Sequence, residues 1–229
     1  MIHQQQFLQS IPLFEDLSVK ALHAIERNVV KRHFAQGDVI FREGDPGEVL
    51  YIVKYGQVRI YVSGGSYETS VILFGRPGDI FGELAIVDGL PRSASATAIQ
   101  DTLVYTVERH GFRTLMRQYP QLALNFMKLL SVRVRYNTRK VNSLASMSVP
   151  SRLARMLLTL AQDYGEVYDN GVLINTSLNQ TELASLIGAT RESTNKALSI
   201  FRKDDLIRKE GSHIVVIDPE ALRDRVNSD

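Results

Sequence analysis

The sequence predicts an α+β chain in which a β-rich N-terminal domain, one long helix and a smaller helical domain with a closing strand pair follow in that order. Three observations predict it. Short alternating apolar runs punctuated by glycine fill Val29 to Val107, apolar residues recur at steps of four and three from Ala123 to Leu144, and the remainder reads as short helices followed by two strands. With 229 residues, 44% hydrophobic and 23% charged, the chain has material for two ordinary domains. No stretch approaches the roughly 20 apolar residues that span a bilayer, so a cytoplasmic chain with no membrane partner is expected. Cysteine is absent, which excludes a disulfide scaffold, a thiolate zinc site, a cysteine nucleophile and a cysteine-ligated iron-sulfur cluster. The net charge of +2, from 27 basic and 25 acidic residues, announces no nucleic-acid partner globally; basic residues would have to be concentrated locally.

Taken in order, Phe7, Ile11, Leu13, Phe14, Leu17, Leu22 and Ile25 have helical spacing broken by Pro12, and are expected to form short leading helices. Runs such as Val49-Leu50-Tyr51-Ile52-Val53 and Val58-Arg59-Ile60-Tyr61-Val62 are then separated by turns at Gly37, Gly44, Gly47, Gly56, Gly64-Gly65, Gly75 and Gly78. Many short, evenly spaced strands imply an antiparallel barrel of the jelly-roll kind. Pro120 suits the first position of a long helix. Its seam of Ala123, Met127, Leu130, Val134, Asn137, Val141 and Leu144 is a heptad, the pattern of a helix that pairs with a second copy rather than only with its own barrel. Ser148-Val149-Pro150 is expected to end that helix and act as a hinge, because the residue before proline is steered away from helical dihedrals. The expected domains are 1–118, 119–147 and 148–229.

Within the last domain, Asp169-Asn170-Gly171 signals a hairpin and Gln180 to Leu198 a helix-turn-helix. Ala184 is small where helices cross, Gly188 supplies the turn, and Thr190 is suited to cap the second helix. On that helix Thr194, Leu198 and Phe201 share one face while Glu192, Lys196 and Ser199 lie opposite, with Arg191 in the first turn. Arginine can bond guanine through two atoms and glutamate can accept from a cytosine amino group. The set read as touching double-stranded DNA is Gln180, Thr190, Arg191, Glu192, Asn195 and Lys196. Arg202-Lys203 and Arg208-Lys209 flank it, as phosphate contacts or as an ordinary solvated face. Strands around Leu206-Ile207 and His213 to Ile217 complete a winged plan.

A second constellation runs from Phe81 to Ala96 as a turn, a short helical piece and a return into a strand. Gly82 lets the backbone approach a ligand, and the N–H groups of Leu84 and Ala85 open a helix that favours an anion. Arg92 and the Ser93 hydroxyl can hold a phosphate. Glu83 would repel that phosphate unless it faces a sugar hydroxyl, so a ribose cyclic phosphate satisfies both; a Glu83–Arg92 salt bridge closing a loop is the plainer reading.

This segment resembles the phosphate-binding cassette of cyclic-nucleotide-binding domains, and with Gly37, Gly44-Asp45, Tyr51-Ile52, Gly56 and the helix-turn-helix the chain is similar, over nearly its whole length, to Crp/Fnr transcription regulators. The resemblance implies an N-terminal jelly-roll cyclic-nucleotide-binding domain, a long dimerisation helix and a C-terminal winged helix-turn-helix. Gly82 and Glu83 would then hold a ribose, Arg92 and Ser93 a cyclic phosphate, and Asn137 and Thr138 an adenine, one set from each subunit of a homodimer. Asn137 in the seam has a second reading as a register-fixing polar residue. Asn137-Thr138 departs from the family's usual pair of threonine with serine or asparagine. Lys196 replaces the more common arginine in a pattern that implies a TGTGA-like half-site, and Thr194 replaces a valine or isoleucine. The implied effector is cAMP, and the implied partners are double-stranded DNA, a cyclic nucleotide, a second copy and RNA polymerase. Another effector, or DNA binding without one, remains the alternative. No histidine, serine and carboxylate cluster suggests an enzyme.

Overall fold

The computed structural model describes the backbone of residues 2–63 and 68–226 and the side chains of 4–63 and 73–226, which leaves the expected Gly64-Gly65 turn outside the described residues. Contacts divide the chain into two compact units, residues 1–63 with 73–137 and residues 64–72 with 138–229.

The first unit opens with α1 (Ile2–Gln9), a 3-10 turn at Pro12–Phe14 and α2 (Val19–Glu26), whose Ser18 hydroxyl caps it by accepting from the Ala21 N–H. Eight strands follow: β1 (Val29–Phe34), β2 (Val39–Phe41), β3 (Val49–Tyr55), β4 (Val58–Ser63), β5 (Glu68–Phe74), β6 (Ile80–Phe81), β7 (Ser95–Ala98) and β8 (Thr102–Glu108). They form two sheets, ordered β1-β8-β3-β6 and β2-β7-β4-β5, as a jelly roll requires. Between β6 and β7 sits α3 (Leu84–Asp88), and after β8 come α4 (Arg109–Gln118) and α5 (Pro120–Ser146).

Strand β3 is covered on both faces, so its alternation separates two environments. Leu50 and Ile52 join Phe7, Leu8, Ile11, Phe14, Ile25, Phe112, Leu122 and Phe126 in a core between barrel and helices. Tyr51 points the other way and stacks on Phe81, ring centroids 4.9 Å apart. Helix α5 starts at Pro120, where a missing N–H costs nothing. Its buried Asn125 donates to the Leu13 and Glu15 carbonyls at 3.2 and 2.7 Å, so a polar side chain inside the core is satisfied while it ties the helix to the leading turn.

In the second unit Pro150 does not break the chain. It occupies the first turn of α6 (Val149–Tyr164), which Ser148 caps, and only Met147 and Ser148 separate α6 from α5. The hairpin β9 (Gly165–Tyr168) and β10 (Gly171–Ile174) turns at Asp169, φ 49°, as its Asn-Gly signal requires. Helix α7 (Gln180–Ile187) starts with a reciprocal capping box of Asn179 and Glu182 and ends at Gly188, φ 64°. Helix α8 (Arg191–Lys203) is capped by Thr190. Strands β11 (Ile207–Glu210) and β12 (His213–Val216) join the hairpin in one sheet ordered β11-β12-β10-β9. A last helix, α9 (Pro219–Val226), was not anticipated; Asp218 caps it by accepting from the Ala221 N–H at 2.9 Å, and Leu222 anchors it. Among the described residues no helix is long and apolar enough to cross a membrane.

Candidate functional site

Strand β6 delivers the chain to Gly82, whose φ of 72° and lack of a side chain are both needed: a Cβ there would stand 2.7 Å from Arg92 Nη1 and 3.2 Å from Tyr51 Cδ2. Glu83 occupies the N-cap of α3 without making a side-chain cap bond, so its carboxylate does not cap the helix end at Leu84 and Ala85. The far end of α3 is held by α4: Arg113 Nη2 donates to the Val87 carbonyl at 2.6 Å, and Arg109, paired with Glu48 at 3.3 Å, lies against Gly89.

Arg92 is the centre of the site and is only 5% exposed. Its guanidinium donates to the Gly82 carbonyl at 2.9 Å and the Val49 carbonyl at 2.7 Å, and it lies over the rings of Phe41 at 4.3 Å and Tyr51 at 5.5 Å. Burial lowers its pKa from the ordinary arginine value, opposed by Tyr51, Asp45 and Glu83. Burial likewise raises that of Tyr51, opposed first by the Arg92 charge. The Arg92 Nε is buried and has no hydrogen-bond partner among the described residues. An arginine held by rings and carbonyls, with its buried Nε unpartnered among the described residues and no carboxylate bonded to it, is a candidate to pair with an anion. The simple Glu83–Arg92 salt bridge is not formed: the Arg92 guanidinium donates to the Gly82 and Val49 carbonyls instead. Ser93 is exposed beside it.

Sequence reasoning missed three residues of this site: Phe41, Tyr51 as a wall of it, and Arg133. From α5, Arg133 Nη2 donates to the Ile80 carbonyl at 2.6 Å and its guanidinium covers Phe74 at 4.0 Å. Burial lowers its pKa, with Glu83 and then Asp79 opposing, so Arg133 and Arg92 both feel the Glu83 charge. Its spacing was the available signal, since Arg133 and Asn137 lie one helical turn apart on a common face. Asn137 and Thr138 are both exposed on α5 and fall on either side of the division between the two units.

Of the expected seam of α5, Met127, Val134, Asn137, Val141 and Leu144 are exposed, while Ala123 and Leu130 are half-buried. Leu130 packs against the barrel core, and the exposed stripe runs Leu124, Met127, Ser131, Val134, Thr138, Val141 and Ala145, again at steps of three and four. Met127, Val134 and Val141 are 54%, 65% and 64% exposed, large values for apolar side chains repeating on one face. Thr138 lies in this stripe, and Asn137 is exposed beside it.

On α8, Thr194, Ala197, Leu198 and Phe201 are buried and Arg191, Glu192 and Lys196 exposed, so the polar face is free. The Thr194 hydroxyl donates to the Thr190 carbonyl at 2.9 Å, which satisfies a polar group where an aliphatic would pack. Glu192 and Lys196 pair at 2.9 Å on the exposed face. Gln180 is exposed at the start of α7, and Thr190 spends its hydroxyl on Ser193. Asn195 is half-buried with its Oδ1 turned inside, unlike its neighbours in the expected set. Of the flanking cations, Lys203 and Lys209 are exposed, whereas Arg208 pairs with Asp169 of the hairpin at 3.0 Å.

The chain matches the cyclic nucleotide-binding domain family over residues 31–119 and the Crp-like helix-turn-helix domain family over residues 151–225. It is 32% identical over 220 residues to the CRP-like cAMP-activated global transcriptional regulator of Mycobacterium tuberculosis, covering 96% of this chain and 98% of that one. It is 31% identical over 203 residues to the cyclic AMP receptor protein of Thermus thermophilus, covering 88% and 90%. In structure it resembles the c-di-GMP responsive global regulator CLP of Xanthomonas campestris, with a TM-score of 0.76 at 22% identity over 88% of this chain and all of that one. A jelly roll with its cassette, a long helix and a winged helix-turn-helix, in one order and matched end to end by such relatives, place this chain in the Crp/Fnr family of DNA-binding transcription regulators.

Proposed function

We propose that the chain acts as a homodimer, binds cAMP in the cassette of its N-terminal domain, and in that state reads a TGTGA-type palindrome in double-stranded DNA. The observation that carries the effector reading is the buried Arg92 with its unsatisfied Nε, beside a glycine and an uncapped helix start. Arg92, the Ser93 hydroxyl and the N–H groups of Leu84 and Ala85 would hold the cyclic phosphate. Glu83 would face the ribose hydroxyl, with the Arg133 charge nearby. Asn137 and Thr138, one set from each subunit, would meet the base; both are exposed on α5.

Arg191 and Glu192 would read base edges, while Lys196 contributes a point charge where an arginine would make a two-pronged contact, so discrimination at that base pair is weaker. Gln180 and Thr190 would contact the backbone. A dimer sets the two half-site centres about 34 Å apart, one turn of DNA. Domain bounds of 1–118, 119–147 and 148–229 go with this reading, as does contact with RNA polymerase on an activated promoter. A different cyclic nucleotide is the second reading, favoured by the Asn137-Thr138 pair and by the name of the Xanthomonas relative.

The test is fluorescence anisotropy on a TGTGA palindrome at one fixed salt concentration, with cAMP, with c-di-GMP and with neither, alongside calorimetry of nucleotide binding. DNA affinity gained only with cAMP, and a loss of cAMP affinity of about 100-fold or more in Arg92→Ala with its fold retained, are the expected results. Unchanged cAMP affinity in Arg92→Ala would discard the pocket. Equal DNA affinity in all three conditions would discard the nucleotide switch.

A further inference from the structure

Arg152 lies in the first turn of α6, and its side chain makes three hydrogen bonds, all to backbone carbonyls. Its Nη1 donates to Met147 at 2.7 Å, its Nε to Ile187 at 2.8 Å and its Nη2 to Gly188 at 3.1 Å. These acceptors belong to two helix ends. Met147 directly follows α5, while Ile187 and Gly188 are the last residue and the C-cap of α7. Carbonyls there have no intrahelical donors and carry the negative end of the helix dipole, so one guanidinium satisfies and neutralises both ends together. A second contact parallels it: a Cβ on Gly188 would collide with Leu144 Cδ2, so the last turn of α5 rests on the turn of the helix-turn-helix. Only Ala189 and Thr190 lie between Gly188 and α8.

We propose that Arg152 is a positioning residue for DNA reading: with Leu144 it locks the end of α5 onto the Gly188 turn, so that the recognition helix α8 moves with the last turns of α5 as one body. The flexible joint expected at Ser148-Val149-Pro150 is then closed, because Arg152 spans it and Ser148 is fixed as the cap of α6. A relay from Asn137 and Thr138 along α5 to the recognition helix would meet this lock. Lysine could keep the charge but not the fork of donors that three carbonyls in different directions demand.

The relay rests on the proposed effector function; the lock itself does not, and the two are tested apart. Because the chain has no cysteine, Asn142→Cys and Lys203→Cys at exposed positions of α5 and α8 accept spin labels without interference. Labelled full-length chain, diluted into excess unlabelled chain, gives the intramolecular distance distribution by electron resonance. It is expected to be narrow in the parent and broad in Arg152→Lys and in Leu144→Ala, both of which should retain the parental helix content. A distribution as narrow in both variants as in the parent would overturn the proposal. In the same variants cAMP affinity should stay within about two-fold while the gain in DNA affinity on adding cAMP falls about ten-fold or more. A role in folding alone would instead weaken DNA binding equally with and without cAMP, and that outcome would also overturn it.

Discussion

At the scale of the residue, the informative groups are cations in places where cations are costly. Arg92 and Arg133 are both desolvated, and each is compensated by backbone carbonyls and aromatic faces. Lys140 is a third desolvated cation. Burial alone pushes its pKa down from 10.5 to about 8. The sign follows from the proton count: below the folded value both states carry the proton and the cost of burying it is fully present. Between about 8 and 10.5 the unfolded chain binds the extra proton, so stability rises with pH as that cost is relieved. Lys140→Met should therefore raise the melting temperature at about pH 7, with the gain over the parent shrinking by about pH 9.5. Melting curves of the two chains at both values check this, and a gain independent of pH would assign the effect to packing instead of charge.

At the scale of the element, α5 carries two apolar faces. One, with Leu122, Phe126 and Leu129, packs on the barrel; the other, with Leu124, Met127, Val134 and Val141, is exposed. The pattern of hydrophobicity alone gave the length and the heptad of this helix, but it could not tell Leu130, which belongs to the barrel side, from Leu124, which does not. The same limit hid the interior of the cassette. An arginine reads as an exposed cation in a sequence, and nothing local to Arg92 tells that Val49 and Phe41, distant in the chain, close around it. Turns and caps were legible because their chemistry is local: Asp169-Asn170-Gly171, Gly188 and Thr190 each do what their residue types demand. Helix α9 was hidden by its single buried apolar residue, although Asp218-Pro219-Glu220 is a fair start signal. If the exposed face of α5 is a dimer seam, burying valines there contributes about 1.5 kcal/mol or more each, and a charge would reverse it. Val134→Glu with Val141→Glu is expected to sediment as a monomer with its helix content kept, and a dimer of unchanged affinity would move the interface elsewhere.

At the scale of the whole molecule, the parts have to act through one equilibrium. The cassette lies in one unit and the reading helix in the other, and α5 is the continuous element that belongs to both. If cAMP raises DNA affinity by shifting two arrangements of the dimer, linkage demands that operator DNA raise cAMP affinity by the same factor. A coupling of about 1–3 kcal/mol, or 5- to 150-fold, is the ordinary range for such systems. The prediction is that calorimetry of cAMP binding, with and without saturating palindrome, returns the factor that anisotropy gives for DNA with and without cAMP. The Glu192–Lys196 pair adds a detail, since reading bases requires the two side chains to separate, in both nucleotide states alike. Substituting Lys196→Arg should then sharpen discrimination at one base pair while leaving the coupling factor where it was. Should the two factors disagree, nucleotide and DNA would be acting on different equilibria, for instance subunit association in one case and domain arrangement in the other, and repeating both titrations on the Val134→Glu, Val141→Glu chain would separate them.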